Sequence, residues 1–148
     1  MMQEVSEEYL RNAVLTATSE HLVLMLYDGA IRFARKARQA LERKDFETSC
    51  EALLRAQRIV EELQAGLRSE VDPDLCRQMS SLYTFIVDRL IQANMKHEVT
   101  LIDEALQVLE HQRETWRLLL EKVRGTPLTT APVGARAPVE STGLSIQV

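Results

Sequence analysis

The chain has 148 residues, with 18 basic and 22 acidic side chains. Its net charge of −4 argues against sequence-independent nucleic-acid binding, which needs a basic excess. Three of the four prolines and three of the five glycines follow residue 124, so residues 1–124 carry only Gly29, Gly66 and Pro73 as helix breakers. A stretch this long, rich in Leu, Ala, Glu, Gln and Arg, predicts an all-α fold.

The N-terminal residues are polar and acidic, and they lack the basic start and apolar stretch of a secretory signal. No apolar run approaches the roughly 18–20 residues that span a bilayer. We therefore predict a cytosolic protein that is not inserted in a membrane. Cys50 and Cys76 have neither a second cysteine nor a histidine at metal-ligand spacing, so two free thiols are predicted.

Residues 1–17 hold scattered apolar side chains and predict an N-terminal segment that is either a short docked helix or mobile. From Thr18, a suitable N-cap, apolar residues recur every three or four positions to about Lys44, which predicts the first long helix. Gly29 lies mid-helix, where glycine usually lets another helix come close. The predicted core face is Leu22, Leu26, Ala30, Phe33, Ala37 and Leu41.

Asp45 is the predicted N-cap of a second helix over about 46–67. Its predicted core face is Phe46, Cys50, Leu53, Val60, Leu63 and Leu67. Asp72 and Pro73 form a cap and first-turn pair for a third helix over about 74–96. A polar break that begins at Asn94, whose residue type suits a helix end, precedes a fourth helix over about 99–124.

Residues 125–148 have no apolar period and little bulk, which predicts a disordered tail. The chain thus divides into an N-terminal segment at 1–17, a four-helix bundle at 18–124 and the tail at 125–148. Short turns between helices of about 20–26 residues predict an antiparallel up-down arrangement.

The sequence contains no pattern of catalytic or metal-ligating residues. His21, His97 and His111 share no one-turn spacing, and none follows a Glu by three residues, so neither a helical zinc pair nor a di-metal bundle site is predicted. There is no Gly-rich phosphate loop and no nucleophile elbow. We predict that the protein is not an enzyme and binds no metal or cofactor.

Two blocks and a lead-in carry a family resemblance. The lead-in is YLRNAVLTAT at 9–18, and the first block is LMLYDGAIRF at 24–33. The second block begins at Leu82 and Tyr83 and continues through Arg89, Leu90, Ala93 and Asn94, with Trp116 downstream. In order and spacing, about residues 9–120 resemble the FliS-type flagellin export chaperones. The second block departs from that pattern, since Thr84, Phe85 and Asp88 replace an Asp, a Tyr and an Arg.

The resemblance implies a cytosolic helical bundle that holds the C-terminal region of flagellin, prevents its premature polymerisation and delivers it to the flagellar type III export gate. It also implies that the tyrosine of the N-terminal segment, here Tyr9, engages that gate. Whether residues 1–17 cover the client site when no client is bound stays open. So does a homodimer in the absence of client.

Apolar residues outside the predicted core faces are the candidate client contacts, because helix-in-groove binding needs exposed apolar surface. With one arginine, the candidate flagellin-binding set is Leu24, Tyr27, Ile31, Leu54, Tyr83, Val87, Arg89 and Ile91. A crowded core explains each apolar member equally well, an intrahelical ion pair explains Arg89, and packing of the N-terminal segment on the bundle explains Tyr9. The alternative function is a dimeric helical scaffold or regulatory adaptor without an unfolded client.

Overall fold

The computed structural model describes residues 19–67 and 72–125, which form four α-helices and no strand. They are α1 (Ser19–Glu42), α2 (Phe46–Ala65), α3 (Pro73–Lys96) and α4 (Val99–Gly125). Each lies within about two residues of its predicted bounds. Thr18, Tyr9, the segment at 1–17 and the tail beyond Gly125 lie outside the described residues.

The helix ends are determined by local hydrogen bonds. The Asp45 carboxylate accepts the Thr48 N–H at 3.2 Å, and the Asp72 carboxylate accepts the Leu75 N–H at 3.1 Å. Both N-caps therefore stand as predicted, and Pro73 occupies the first turn of α3. The hydrogen bonds from Thr48 lower the pKa of the Asp45 carboxyl.

α3 ends at Lys96 as predicted, but Asn94 is not the residue that ends it. The helix continues past Asn94 to Lys96, and His97 is the C-cap, in the left-handed conformation with a φ of 56°. Asn94 is instead a packing residue, because its side-chain amide donates to the Cys50 sulfur at 3.4 Å across α2 and α3. A histidine is several-fold enriched in left-handed backbone, so it can take the position that the sequence suggested for asparagine.

Each helix packs against two neighbours, so that the four helices form a closed square in the order α1, α2, α3, α4. Contacts between α1 and α4 run antiparallel, since Asp28 bonds Arg113 while Arg38, further along α1, bonds Asp103. The Trp116 indole N–H donates to the Glu20 carbonyl at 2.9 Å near the start of α1. This is the predicted antiparallel up-down bundle.

All four helices contribute to one core. Its largest fully buried side chains are Tyr27, Leu53, Val60, Ile86, Leu90, Ile102 and Leu109. On α1 the buried face is made mostly of small residues, with Ala30, Ala34, Ala37 and Ala40 all fully buried. These allow α2 to approach closely: a Cβ added at Gly29 would lie 3.2 Å from the Ile59 Cδ1. The predicted close approach at Gly29 is therefore confirmed.

The prediction that Phe46 belongs to the core is wrong. Phe46 is the first residue of α2 and is 45% exposed. It lies at the edge of the buried face, four residues before the half-buried Cys50, and at the end of the helix no further turn covers it. Burial needs both the right face and a position within the length of the bundle.

Candidate functional site

Exposed large apolar side chains are concentrated where α2 meets α3. The described residues include six such side chains, and four of them lie on the outer side of this junction: Phe46, Leu54, Ile91 and Met95. Met95 is the most exposed, at 74%. Phe85 and Leu118 are the other two, on α3 and α4. An uneven distribution of this kind marks a candidate interaction surface.

The surface is built from two rows of residues that are spaced one helical turn apart. We call it the α2–α3 seam, and it consists of Phe46, Cys50 and Leu54 on α2 with Val87, Ile91 and Met95 on α3. A spacing of four residues places each row along one side of its helix. Cys50 and Val87 are half-buried, so they form the floor between the more exposed members.

Hydrogen bonds hold the two rows in register. Near one end, Asn94 donates to the Cys50 sulfur. Toward the other end, the Gln64 side-chain amide donates to the Ser80 hydroxyl at 2.8 Å and to the Thr84 hydroxyl at 3.1 Å. Leu54 and Ile91 lie between these two sets of hydrogen bonds, so they belong to the same stretch of the seam.

The seam ends at a stacked aromatic pair. The rings of Phe46 and His97 lie 4.2 Å apart between centroids, with an interplanar angle of 29°. The left-handed backbone at His97 ends α3 beside the first turn of α2. The stack covers one face of Phe46 and leaves almost half of its surface exposed.

The structure brings three of the candidate residues together on the seam. Leu54 and Ile91 are 41% and 39% exposed, and Val87 is half-buried against the core. Leu24 lies apart from them, partly buried on α1. Arg89 also lies apart: its guanidinium is 4.8 Å from the centre of the Phe85 ring and 3.5 Å from a Glu104 oxygen on α4.

Tyr27, Ile31 and Tyr83 are core residues, so the expectation that they lie off the core is wrong. They are 2%, 5% and 3% exposed. In a closed square each helix faces two neighbours and the opposite helix, so its buried arc is wider than one apolar stripe. Residues that flank the predicted stripe are therefore also enclosed.

The two buried tyrosines bond to each other across the diagonal of the bundle. Their hydroxyl oxygens lie 2.6 Å apart, and their ring centroids 6.4 Å. Burial raises the pKa of both phenols, most strongly at Tyr27, because the ionised form would lose its hydration. The pair is therefore neutral at physiological pH, and it links α1 to α3.

Sequence reasoning missed Phe46 and Met95 as members of the exposed surface. The sequence pattern predicts a core position for Phe46 and a polar break at Met95. The four-residue spacing from Val87 through Ile91 to Met95 is the signal that identifies the row. That spacing does not show which side of α3 is left uncovered by its neighbours.

Within residues 19–67 and 72–125, no group of three or more histidine, cysteine, aspartate or glutamate side chains could hold a metal ion. Neither of the two cysteines is in a disulfide. None of the helices in this part of the chain is long and apolar enough to cross a membrane.

A four-helix bundle whose exposed apolar side chains gather on one seam has the features of a module that binds other proteins. The family model described as flagellar protein FliS matches residues 1–123. The chain belongs to this family, whose members are flagellar secretion chaperones and not enzymes.

Known relatives agree with this assignment. The flagellar secretion chaperone FliS of Bacillus subtilis is 35% identical over 116 residues, which cover 78% of this chain and 86% of the relative. That of Salmonella typhimurium is 33% identical over 114 residues, covering 76% and 84%. A crystal structure described as a flagellar chaperone from bacteria matches with a TM-score of 0.66 at 25% identity, covering 82% of this chain and 99% of that one.

Proposed function

We propose that this protein binds the C-terminal region of flagellin in the cytosol, prevents its premature polymerisation and delivers it to the flagellar type III export apparatus. Family membership supports the chaperone class, and the α2–α3 seam is the observation that carries the proposed mode of binding. A client that polymerises through apolar helices needs those helices covered until export. The seam offers apolar surface that the bundle itself leaves exposed.

The dimensions of the seam suit an amphipathic helix. From Phe46 to Leu54 the row on α2 spans about 12 Å at 1.5 Å per residue, which is a little over two helical turns. Apolar residues on one face of a client helix would lie between the two rows, as in other helix-in-groove complexes. A client that orders on binding loses part of its contact energy to ordering, so further surfaces of the bundle are expected to contribute.

The proposed contact set keeps Leu54, Val87 and Ile91 from the sequence-based candidates and adds Phe46 and Met95. Leu24 and Arg89 stay predicted contacts on separate faces. Tyr27, Ile31 and Tyr83 are not in the proposed set, because their side chains would reach a client only if the helices separated.

The proposal is tested by calorimetric titration of the protein with the isolated C-terminal segment of flagellin. We expect 1:1 binding with a gain of helical circular dichroism as the client folds. Leu54→Glu and Ile91→Glu should each weaken binding by about tenfold or more, the loss expected when a largely apolar contact is replaced by a charge. Because both residues are about two-fifths exposed, their replacement should change the melting temperature little.

The matched control is Leu118→Glu, which places the same charge on an exposed leucine of α4 away from the seam. It should bind the client as the wild type does. Absence of binding heat and of any helicity change with the wild-type protein would refute the chaperone proposal. Equal weakening by all three variants would refute the seam as the contact surface.

The seam also supports the second candidate, a homodimer in the absence of client, because two copies could cover each other's apolar rows. Light scattering of the purified protein measures this directly. A client-free dimer that Ile91→Glu converts to a monomer would support it. A protein that is dimeric through the seam and never binds flagellin would favour the scaffold alternative.

Delivery to the export apparatus is proposed to involve Tyr9, on the strength of the family resemblance. Replacing Tyr9 with Ala should leave flagellin binding intact and reduce flagellin export in cells, measured as secreted flagellin. A variant that exports normally would remove Tyr9 from this role.

A further inference from the structure

Three exposed cations lie near the junction of α1 and α2. Arg32 and Lys36 lie one turn apart on α1, and Arg55 lies on α2. We call these three residues the basic groove. Their concentration stands out because the whole chain carries a net charge of −4.

An aromatic ring connects the two halves of the groove. The Arg32 guanidinium carbon lies 5.3 Å from the centre of the Phe33 ring, and that of Arg55 lies 5.5 Å from the same centre. Phe33 is half-buried between the helices. Two guanidinium groups from different helices therefore share one ring, which places the cations of α1 beside that of α2.

Asp28, Glu110 and Glu114 line one pocket together with Arg32 and Lys36, but each of these carboxylates is paired with another arginine. Arg55 has one long ion pair, 4.0 Å from Glu51, and within residues 19–67 and 72–125 neither Arg32 nor Lys36 forms an ion pair. Asp28, one turn before Arg32, is bound to Arg113.

The junction of α1 with α4 is the internal comparison. There, three ion pairs cross between the helices: Asp28 with Arg113, Arg38 with Asp103, and Arg35 with Glu110. Arg32 and Lys36 line a pocket at this junction, yet neither takes part in these pairs. Two cations of the basic groove thus form no ion pair among the described residues, although the cations beside them do.

Like charges within the groove are expected to repel each other. Arg32 and Lys36 stand at positions i and i+4 of one helix, where a pair of like charges is destabilising. A local arrangement that opposes stability, and that gains no stabilising contact within the protein, is characteristic of a binding surface.

We propose that the basic groove binds a short acidic segment of a partner protein, with its carboxylates on Arg32, Lys36 and Arg55 and an apolar side chain against Phe33. The net negative charge of the chain disfavours nucleic acid and anionic membranes, which attract proteins over long distances through a basic excess. A peptide with a few carboxylates needs only the local charge. This surface is separate from the seam and does not depend on the flagellin proposal.

The test uses the full-length protein and a fluorescently labelled peptide of glutamate and leucine three helical turns long, about 11 residues at 3.6 per turn. Its partner peptide carries glutamine in place of each glutamate. We expect the acidic peptide to increase in anisotropy on binding, and the glutamine peptide not to bind. Raising the salt concentration to about 0.5 M should weaken binding, because the contacts are exposed and screened.

The diagnostic variant is Arg32→Gln/Lys36→Gln/Arg55→Gln, which should bind the peptide about tenfold more weakly through the loss of three exposed ion pairs. Its melting temperature should equal or exceed that of the wild type, since repulsion is removed; a structural role would lower it. The control Arg43→Gln/Arg77→Gln/Lys96→Gln removes the same charge from exposed positions elsewhere. It should bind the peptide normally, as should Ile91→Glu on the seam.

Undiminished binding by the diagnostic variant would overturn the proposal, as would equal weakening by the control. Tighter binding of anionic lipid vesicles or of duplex RNA than of the acidic peptide would assign the groove to a different class of partner. Failure of flagellin to bind would leave this result unaffected, because the peptide assay contains no flagellin.

Discussion

Tyr27 and Tyr83 place two hydroxyl groups in the centre of an otherwise apolar core. Each is the other's hydrogen-bond partner at 2.6 Å, and each is at most 3% exposed. A buried polar group is tolerated only when its hydrogen bond is made, so the two residues act as a unit. Since α1 and α3 are diagonal in the bundle, the pair favours one register of these helices.

We predict that Tyr27→Phe alone costs about 1–2 kcal/mol of unfolding free energy, because it leaves the Tyr83 hydroxyl buried without a partner. The double variant Tyr27→Phe/Tyr83→Phe should recover most of this loss, since removal of both polar groups can be nearly neutral. Urea unfolding followed by circular dichroism measures both. Two additive losses would show that the hydroxyls do not act as a unit.

The same pair predicts a loss of stability at alkaline pH. The folded state holds the pKa of both phenols above the value of the unfolded chain, about 10. Their contribution is therefore complete below pH 10 and falls above it, where the unfolded state releases protons that the folded state keeps. Unfolding free energy measured between pH 8 and pH 11 should decline more steeply for the wild type than for the double phenylalanine variant. Equal slopes would show that the phenols are not the cause.

At the scale of the helices, α1 and α2 are held close by small residues. The fully buried alanines of α1, together with Gly29, let α2 approach closely. A Cβ added at Gly29 would lie only 3.2 Å from the Ile59 Cδ1. The neighbouring atom is the tip of a side chain, which can shift more easily than backbone. A small side chain is therefore tolerated at Gly29 and a large one is not.

We predict that Gly29→Ala changes the unfolding free energy by less than about 1 kcal/mol, since better helix propensity offsets the displacement of Ile59. Gly29→Leu should cost more than about 2 kcal/mol, because the added volume pushes α1 away from α2. Chemical denaturation of both variants provides the comparison. A stable Gly29→Leu protein would mean that the two helices separate at little cost.

The interhelical ion pairs between α1 and α4 contribute little by comparison. Arg38 binds Asp103 through two nitrogens, at 2.5 and 3.3 Å, but the two side chains are 36% and 45% exposed. We predict that Asp103→Asn costs less than about 1 kcal/mol, as is usual for exposed pairs. Leu109→Ala, in the fully buried core of the same helix, should cost about 2–5 kcal/mol. Thermal and urea denaturation measure both losses. A larger loss for Asp103→Asn than for Leu109→Ala would show that charge dominates this interface.

At the scale of the molecule, the faces of the bundle differ in chemistry. The junction of α1 with α4 is closed by ion pairs, the α2–α3 seam is apolar, and the basic groove is cationic. The core that supports these faces is formed by buried residues between Tyr27 and Trp116.

We predict that truncation after Gly125 leaves the melting temperature within about 2 °C of the full-length value, a change that corresponds to less than about 1 kcal/mol. The reason is that the described core cluster and the residues packed against it extend no further than Leu120. Flagellin binding should also be retained. Differential scanning calorimetry and the client titration test this, and loss of either property would give residues 126–148 a role in fold or binding.

The sequence by itself determined the helices, their N-caps at Asp45 and Asp72, and the family. These follow from local signals, namely apolar periodicity, capping residues and motif order, which do not depend on distant parts of the chain. The tertiary structure alone decided that Tyr27, Ile31 and Tyr83 are enclosed and that Phe46 is exposed. Periodicity gives the relative side of each residue on its own helix. It does not give the number of neighbours that cover that side, and this number decides which apolar residues remain for a partner.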